Sequence, residues 1–256
     1  MISIMRNIAG LKLQQLYFSD EMDLRVAKGT SLVGVTQAKY HTRKLFPIET
    51  LQINLTKSEE KLFSDINKST RQQIRQAEQK YGLMTKADPA PDERSINTFR
   101  NFYNTFASTK HTYKCNAFHL KTLKLLAKQN SLLITSVEDS LGETLCYRVY
   151  AIDGKRATSL YSAAHYRQAA DKSRKRLLSA AHRYLKWKDM LWLKHGGYII
   201  YDSGGLTSDP AIRNFKLEFG GEIVKEYSGY IATNLFGRFV LSIRNWNLRR
   251  GLRVKT

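Results

Sequence analysis

Cysteine is scarce in this sequence: only Cys115 and Cys146 occur, far apart and without CxxC spacing. A disulfide framework and a zinc site built on paired cysteines are therefore both disfavoured, and a reduced, cytosolic compartment is expected. Cys146 lies within an apolar run, which favours a small buried side chain over a nucleophile. We expect neither a metal ion nor a permanently bound cofactor.

Long apolar runs are also missing. No stretch approaches the roughly 20 residues that span a bilayer, and the short opening at residues 1–5 does not make a signal peptide. A hydrophobic share of 42% over 256 residues is ordinary for a globular protein. That length supports one substantial core, or one domain with a small annex.

Acidic residues are few: 22 Asp and Glu stand against 42 Lys and Arg, for a net charge of +20. Such an imbalance bears on partners and encounter rates rather than on the fold. The expected partner is polyanionic, namely tRNA, an anionic membrane face or a phosphate-bearing carrier. A basic surface that serves only solubility is the alternative.

Hydrophobic periodicity predicts strands and helices in a mixed order. Residues 1–45 hold only short strands and are too few to fold alone, so they are expected to form an annex. A strand at 51–55 is followed by a capping box, Thr56 with Glu59. A helical segment then runs to Gly82, either unbroken or with a break near 67–68. Further helices are predicted at 96–106, 117–128 and 173–195, and further strands at 132–137, 145–152, 157–162 and 198–201.

The aromatic residues at helical spacing in 96–106 are expected to be core, and Asp153-Gly154 is a hairpin turn signal. A meander of strands followed by helix, strand, helix and strand predicts an α/β or α+β domain. Its mixed sheet would carry helices on both faces.

Residues 197–227 are the most informative segment. An apolar run ends in Asp202 and breaks at Gly204-Gly205, and a short helix with Phe215 and Lys216 follows. The helix stops at paired glycines and another strand begins. A carboxylate and an ammonium thus lie at element ends, where α/β enzymes keep their chemistry.

This segment resembles the C-terminal half of the GNAT-like catalytic domain of the Fem peptidyltransferases, the FemABX family. Two upstream stretches extend the resemblance: Ala-His-Arg-Tyr-Leu-Lys-Trp at 181–187, and the helix at 70–77, which is similar to the family's Arg-x-x-Ile-Arg-x-Ala element. The resemblance covers about residues 46–230. It implies an annex at 1–45, one GNAT-like domain at 46–242 and a basic tail at 243–256, whereas full Fem proteins carry two such domains.

The resemblance implies a transferase that moves an acyl or aminoacyl group to an amine of a cell-envelope precursor. The acceptor would belong to peptidoglycan or to a surface polysaccharide. The co-substrate would be an acyl-coenzyme A or an aminoacyl-tRNA. The alternative is a non-catalytic basic adaptor that binds RNA or a membrane. A pure binder, however, has no reason to keep Asp202 and Lys216 beside paired glycines.

Four residues are candidates for catalysis. Lys216 matches the Phe-Lys pair of the Fem channel and would polarise the carbonyl, with Phe215 lining the channel. Asp202 would take a proton from the amine or form an Asx turn with the glycine loop. Tyr161 and His165 would face the same crevice in a GNAT-like sheet. The alternatives are a solvated Lys216 and a surface His165.

Five arginines are candidates for phosphate binding. Acyl-coenzyme A users of this fold offer backbone amides from the loop before the long helix. Here that loop, 167–176, has no glycine but carries Arg167, Arg174 and Arg176, which would neutralise phosphates instead. Arg71 and Arg75 lie one helical turn apart and point the same way. Solvated basic faces are the alternative in both places.

The tail at 243–256 mixes apolar and basic residues. A basic amphipathic helix there would suit an anionic membrane surface or a tRNA backbone, and a disordered tail is the alternative. We therefore expect a cytoplasmic protein with peripheral attachment to the inner membrane face. The apolar members are Trp246, Leu248, Leu252 and Val254, and the cations are Arg244, Arg249, Arg250, Arg253 and Lys255.

Overall fold

The computed structural model describes residues 1–20, 26–169 and 171–253, with the side chains of 245 and 247–253 left out. The chain forms two compact units. Unit 1 comprises Met1–Glu49 and Lys225–Thr256, and unit 2 comprises Thr50–Val224. Unit 1 thus takes in the expected annex and adds the C-terminal segment.

Strands and helices alternate along the chain as a mixed set. The strands are β1 (Ile2–Ile8), β2 (Leu11–Tyr17), β3 (Leu32–Ala38), β4 (Leu45–Asn54), β5 (Met84–Asp88), β6 (Leu132–Glu138), β7 (Thr144–Ile152), β8 (Arg156–Ala164), β9 (Ile200–Gly205) and β10 (Glu222–Ala232). The helices are α1 (Glu59–Asp65), α2 (Lys68–Lys80), α3 (Glu93–Lys110), α4 (Ala117–Ala127), α5 (Lys172–His195), α6 (Pro210–Leu217) and α7 (Leu235–Arg253).

In unit 1 the strands lie in the order β1-β2-β3-β10. The β2–β3 pair is parallel, and the other two pairs are antiparallel. Helix α7 packs Val240 and Leu241 against a small apolar cluster of the sheet. Gly237 permits that approach, since a Cβ atom there would lie 2.0 Å from the carbonyl oxygen of Ser31.

In unit 2 the strands lie in the order β4-β9-β8-β7-β6-β5. All neighbours are antiparallel except β8 and β9, which are parallel. These two strands pair only from Arg156 to Thr158 and from Ile200 to Asp202. Because β8 continues to Ala164, the strands part beyond that point and leave a gap in the sheet.

A β-bulge sits where the two strands part. Tyr150 pairs with Ser159 and Val149 pairs with Tyr161, so Leu160 is an extra residue in β8. An extra residue reverses the alternation of side chains beyond it. Ser162 consequently faces α5, whereas Tyr161 faces α3.

The main core of unit 2 lies between α5, α2 and one face of the sheet. Helix α5 begins at Asp171, whose carboxylate accepts a hydrogen bond from the Arg174 N–H, and it buries Leu178, Ala181 and Leu185 along one stripe. On the other face Phe99 of α3 packs against Tyr161 with ring centroids 5.5 Å apart. Phe99 is therefore core, as predicted, whereas Phe102, Tyr103 and Phe106 of the same stripe are half-buried.

The α/β class with a mixed sheet flanked by helices is confirmed. The capping box is not where the sequence predicts it, because Ser58 rather than Thr56 is the N-cap of α1. Thr56 instead donates a hydrogen bond to the Asn54 side chain. The helical segment also divides in two, since Asn67 caps a second helix, α2.

Candidate active site

Four elements of unit 2 converge where β8 and β9 part. Lys216 of α6 donates a hydrogen bond from Nζ to the carbonyl oxygen of Gly205, at the end of β9, over 2.6 Å. Lys186 of α5 donates to the carbonyl oxygen of Lys216 over 3.4 Å. Ser162 of β8 contacts His182 of α5 over 2.5 Å. The gap is thus lined by polar groups from separate parts of the chain.

The Phe215-Lys216 pair is held from both sides. The Phe215 ring stacks on the His182 ring at 4.7 Å with a 12° interplanar angle, and the Arg183 guanidinium lies 5.3 Å from its centroid. Burial and the nearby Arg148 cation lower the pKa of Lys216 to about 8. Lys216 is therefore an ammonium that exchanges its proton readily near neutral pH.

Asp202 shapes the loop that Lys216 contacts. Its carboxylate is fully buried, pairs with the Arg156 guanidinium and accepts a 2.6 Å hydrogen bond from the Gly204 N–H, which makes an Asx turn. Gly204 has φ +75°, and a Cβ atom there would lie 2.8 Å from the carbonyl oxygen of Ser159. A role for Asp202 in proton transfer stays a prediction.

A buried guanidinium, that of Arg148 on β7, organises the polar wall of the gap. Its Nε donates to the Tyr150 hydroxyl at 2.7 Å and its Nη2 to the Tyr201 hydroxyl at 2.9 Å. Its Nη1 lies 3.2 Å from Ser162 Oγ and 3.3 Å from His182 Nε2. Three strands and a helix therefore meet at one side chain.

The counter-charge for Arg148 is Asp189 of α5. Its carboxylate lies 3.4 Å from Arg148 Nε and accepts a 2.5 Å hydrogen bond from the Tyr150 hydroxyl. Burial raises the pKa of Asp189 to about 6 in spite of the guanidinium, so the group is ionised at neutral pH. Burial also raises the pKa of the Tyr150 and Tyr201 phenols, which stay protonated as donors.

Lys186 is fully buried in an aromatic cage. Its Nζ lies 4.0 Å from the Phe219 ring centroid, 5.6 Å from that of Phe215 and 5.7 Å from that of Tyr201. Cation–π contacts of this kind partly replace water around the ammonium. Burial, with Arg148 and Lys216 nearby, lowers the pKa of Lys186 well below its usual value.

Tyr161 and His165 lie on the α3 side of the sheet rather than beside Lys216. The Tyr161 ring packs on Phe99 and Tyr103. His165 contacts the carbonyl oxygen of Phe102 through Nε2, at 3.2 Å, and the Gln168 side chain through Nδ1. The bulge in β8 explains this placement, because it turns Tyr161 away from α5.

The predicted phosphate-binding arginines are mostly engaged within the fold. Arg71 donates to the carbonyl oxygens of Ser64 and Ile66 at the end of α1, at 2.6 and 2.8 Å. Arg75 lies over the Phe63 ring, 5.4 Å from its centroid.

The arginines near the start of α5 differ from one another. Arg174 pairs with Asp139 at 3.4 Å and with Glu143 at 2.6 Å, so its charge is already balanced. Arg167 donates a long 3.5 Å hydrogen bond to the carbonyl oxygen of Thr109. Arg176 instead lines an open pocket.

That pocket, of about 350 Å³, lies between α2 and the first turns of α5. Its cations, its helix N-terminus and its amide and hydroxyl groups are the chemistry that binds a polyanion. Two of its cations, Lys172 and Lys175, belong to the basic loop 167–176 for which the sequence predicts phosphate binding. The lining residues are Gln73, Gln76, Tyr81, Tyr166, Lys172, Lys175, Arg176 and Ser179.

Four members of the candidate site were not predicted from the sequence, namely Arg148, Ser162, His182 and Lys186. A signal was present for three of them. Arg148 is a charged residue within an otherwise apolar strand, and both His182 and Lys186 lie in the 181–187 stretch that carries the family resemblance. Ser162 has no such signal.

The fold is shared with solved structures of very different sequence. "Crystal structure of FemX" matches with a TM-score of 0.56 and 13% identity over 71% of this chain and 60% of that one. The C-terminal domain of a putative lysylphosphatidylglycerol synthetase from Agrobacterium fabrum matches with a TM-score of 0.54 and 13% identity. That match covers 94% of this chain and 83% of the synthetase domain.

A third match is a conserved protein of unknown function from Bacteroides thetaiotaomicron, with a TM-score of 0.51, 10% identity and coverage of 73% and 62%. The resemblance to the Fem proteins is thereby confirmed in the fold, and this chain spans about 60% of the length of FemX. No protein-family model matches the chain, and no curated protein matches it in sequence.

Replacing Lys186 by Met should raise the free energy of unfolding at neutral pH, because an amine whose burial disfavours its charged form is exchanged for an apolar side chain. In the wild type the folded pKa of Lys186 lies below the unfolded one. The unfolded chain therefore binds more protons, and wild-type stability rises as pH climbs from the folded pKa towards about 10.5. The difference in the free energy of unfolding between Lys186→Met and the wild type should therefore become smaller from neutral pH to about pH 9. Urea unfolding at the two pH values measures it.

Lys188→Met is the matched control. Lys188 lies two residues along α5, pairs with Glu78 at 3.0 Å and has a raised pKa, so its removal should add no such pH dependence. A Lys186→Met protein that is less stable than the wild type, with the same pH dependence, would contradict the prediction.

Proposed function

We propose that this protein transfers an acyl or aminoacyl group to an amine. The observation that carries the proposal is Lys216, an ammonium with a pKa of about 8 held on the Gly205 carbonyl oxygen at the gap between β8 and β9. The fold shared with FemX and with a putative lysylphosphatidylglycerol synthetase domain supports it.

In the proposed reaction the Lys216 ammonium stabilises the negative charge that develops on the carbonyl oxygen of the acyl group. A positioned donor in a partly dry site contributes a few kcal/mol to this step. Phe215, fixed by its stack on His182, forms an apolar wall beside the acyl group. The Asp202 turn holds the loop, and with it the Gly205 carbonyl, in place.

The pocket at the start of α5 supports a donor that carries phosphates. Lys172 and Lys175 lie within the first turn of the helix, and Arg176 lines the same pocket. Cations at a helix N-terminus are unfavourable for the helix unless an anion lies among them. Acyl-coenzyme A and aminoacyl-tRNA both present such anions, and we keep both as donors.

The exposed side chains of helix α7, in unit 1, support the proposal that the acceptor lies at a membrane surface. A phosphate-bearing envelope precursor is such an acceptor. Phe236, Phe239, Ile243 and Trp246 recur at helical spacing and are all exposed, Phe239 by 62% and Trp246 by 53%. Basic residues Arg238 and Arg244 lie in the same helix. An exposed apolar stripe with cations is the composition of helices that lie in an anionic lipid surface.

This stripe begins earlier than the sequence suggested. Of the residues expected to form it, Trp246 is exposed as predicted. Val254 and Lys255 lie outside the described residues, as do the side chains of Leu248, Leu252, Arg249, Arg250 and Arg253. In the part of the chain that the structure describes, no helix is both long and apolar enough to cross a bilayer.

The Lys216→Met variant should fold normally and lose about 100-fold in turnover, as for removal of an oxyanion donor. If Lys216 acts as an ammonium, wild-type turnover should also fall as pH rises through about 8. Steady-state transfer assays with each donor class measure both effects. Lys225→Met, at an exposed position, is the control, and equal turnover in the two variants would remove Lys216 from the mechanism.

Replacing Lys172 and Lys175 together by Gln should raise the KM for the true donor about tenfold and leave kcat nearly unchanged. This is expected because the variant loses the contacts with the donor's phosphates equally in the ground state and in the transition state. Arg174→Gln is the control, because that guanidinium is already paired with Asp139 and Glu143. An unchanged KM in the double variant would show that the donor's phosphates bind elsewhere.

Replacing Phe239 and Ile243 together by Ser should weaken binding to anionic vesicles about tenfold or more, since apolar area is lost from the lipid contact. Flotation with anionic and with neutral vesicles measures binding, and the wild type should prefer the anionic ones. Leu141→Ser removes a side chain that is 91% exposed elsewhere and should bind like the wild type. Equal recovery of wild type and double variant would leave α7 without a membrane role.

A further inference from the structure

Ser162 and His182 form a close pair that the proposed function does not use. Ser162 Oγ lies 2.5 Å from His182 Nε2. Ser162 is half-buried on β8, beyond the point at which β9 stops pairing with it. The pair therefore lies at the same opening of the sheet as the Phe215-Lys216 segment, and His182 stacks directly on Phe215.

The surroundings fix which atom of the pair holds the proton. Arg148 Nη1, which can only donate, lies 3.3 Å from His182 Nε2. We assign the ring proton to Nδ1, so that the single lone pair of Nε2 faces the Ser162 hydroxyl at 2.5 Å and the longer Arg148 contact is secondary. Burial, and after it the nearby Arg148 guanidinium, lower the pKa of His182 well below its usual value and keep the ring neutral. Hence Ser162 donates its hydroxyl proton to Nε2.

This arrangement meets the requirements for an activated serine. A nucleophile needs a base within hydrogen-bond reach, and the base needs a third group that orients it. The stacked Phe215 ring orients His182, whereas Arg148 approaches the same Nε2 that accepts the proton. Arg148 Nη1 also lies 3.2 Å from Ser162 Oγ, where a fixed cation stabilises a developing alkoxide.

We propose that Ser162 is a nucleophile that carries the acyl group as an ester between donor and acceptor, with His182 as its base. The source of the acyl group rests on the proposed transferase function. The reaction would then run in two half-steps, rather than by direct attack of the amine on the donor.

In the first half-step Ser162 Oγ attacks the carbonyl carbon and its proton passes to His182 Nε2. The bond from carbon to the donor's sulfur or oxygen breaks, and that atom leaves with the proton from His182. In the second half-step the amine attacks the ester, its proton passes to His182, and the carbon–nitrogen bond forms. The carbon–Oγ bond breaks, and His182 returns a proton to Ser162.

The test uses p-nitrophenyl acetate, an activated ester that needs no knowledge of the natural donor. The full-length wild type should release a burst of about one equivalent of p-nitrophenolate, the signature of an acyl-enzyme. Peptide mass spectrometry should find the acetyl group on Ser162. His182→Gln should slow acetylation about 100-fold, as for loss of a general base.

Three further variants show whether a lost burst reflects lost chemistry or lost folding. Ser162→Ala should lose the burst, whereas Ser162→Cys keeps a nucleophile of similar size and should be acetylated on sulfur. Ser159→Ala changes a serine on the same strand and should keep the wild-type burst. Thermal unfolding of each variant reports whether its fold is intact.

The outcomes separate this inference from the proposed function. Absence of a burst in the wild type, acetylation elsewhere, or a full burst in folded Ser162→Ala would overturn the nucleophile. If Ser162→Ala still transferred acyl groups at the wild-type rate, the transferase would stand without a serine ester. If the wild type formed the Ser162 ester but transferred nothing from either donor class, the proposed function would fail and the nucleophile would stand.

Discussion

The buried guanidinium of Arg148 is the constraint on which the polar side of unit 2 depends. A cation removed from water loses several kcal/mol of solvation, which only a nearby carboxylate and good hydrogen bonds offset. Asp189 supplies the charge, and the Tyr150 and Tyr201 hydroxyls supply acceptors. Because the guanidinium is a rigid planar fork, satisfying those three groups also determines where Nη1 points, and that is towards the Ser162–His182 pair.

The gap between β8 and β9 brings part of this network to an opening of the sheet. Two local backbone features maintain the gap, the extra residue Leu160 in β8 and the left-handed Gly204 in β9. A Cβ atom at Gly204 would meet the Ser159 carbonyl oxygen, so the two strands approach closely there and separate immediately afterwards. The polar groups of the candidate site therefore line an opening that the sheet itself creates, as expected for parallel strands that stop pairing.

The net charge of +20 does not form one uniform binding surface. Arg71 donates hydrogen bonds to carbonyl oxygens within the fold. Arg174 pairs with two carboxylates. Lys186 lies among aromatic rings, whereas Lys172 and Lys175 face an open pocket. Cations at neighbouring positions of one helix thus have different roles, and the charge count alone would not have separated them.

Sequence alone determined the local features of this protein. The helix break at Asn67, the hairpin at Gly154, the buried Phe99 of α3 and the Asp202 turn all follow from hydrogen bonds and periodicity within a few residues. Tertiary structure decided the site, because Arg148 meets Ser162, His182 and Tyr201 across 14, 34 and 53 residues. Those contacts depend on strand register and on one bulge, which periodicity does not encode: a single extra residue in β8 turned Tyr161 away from the gap and Ser162 towards it.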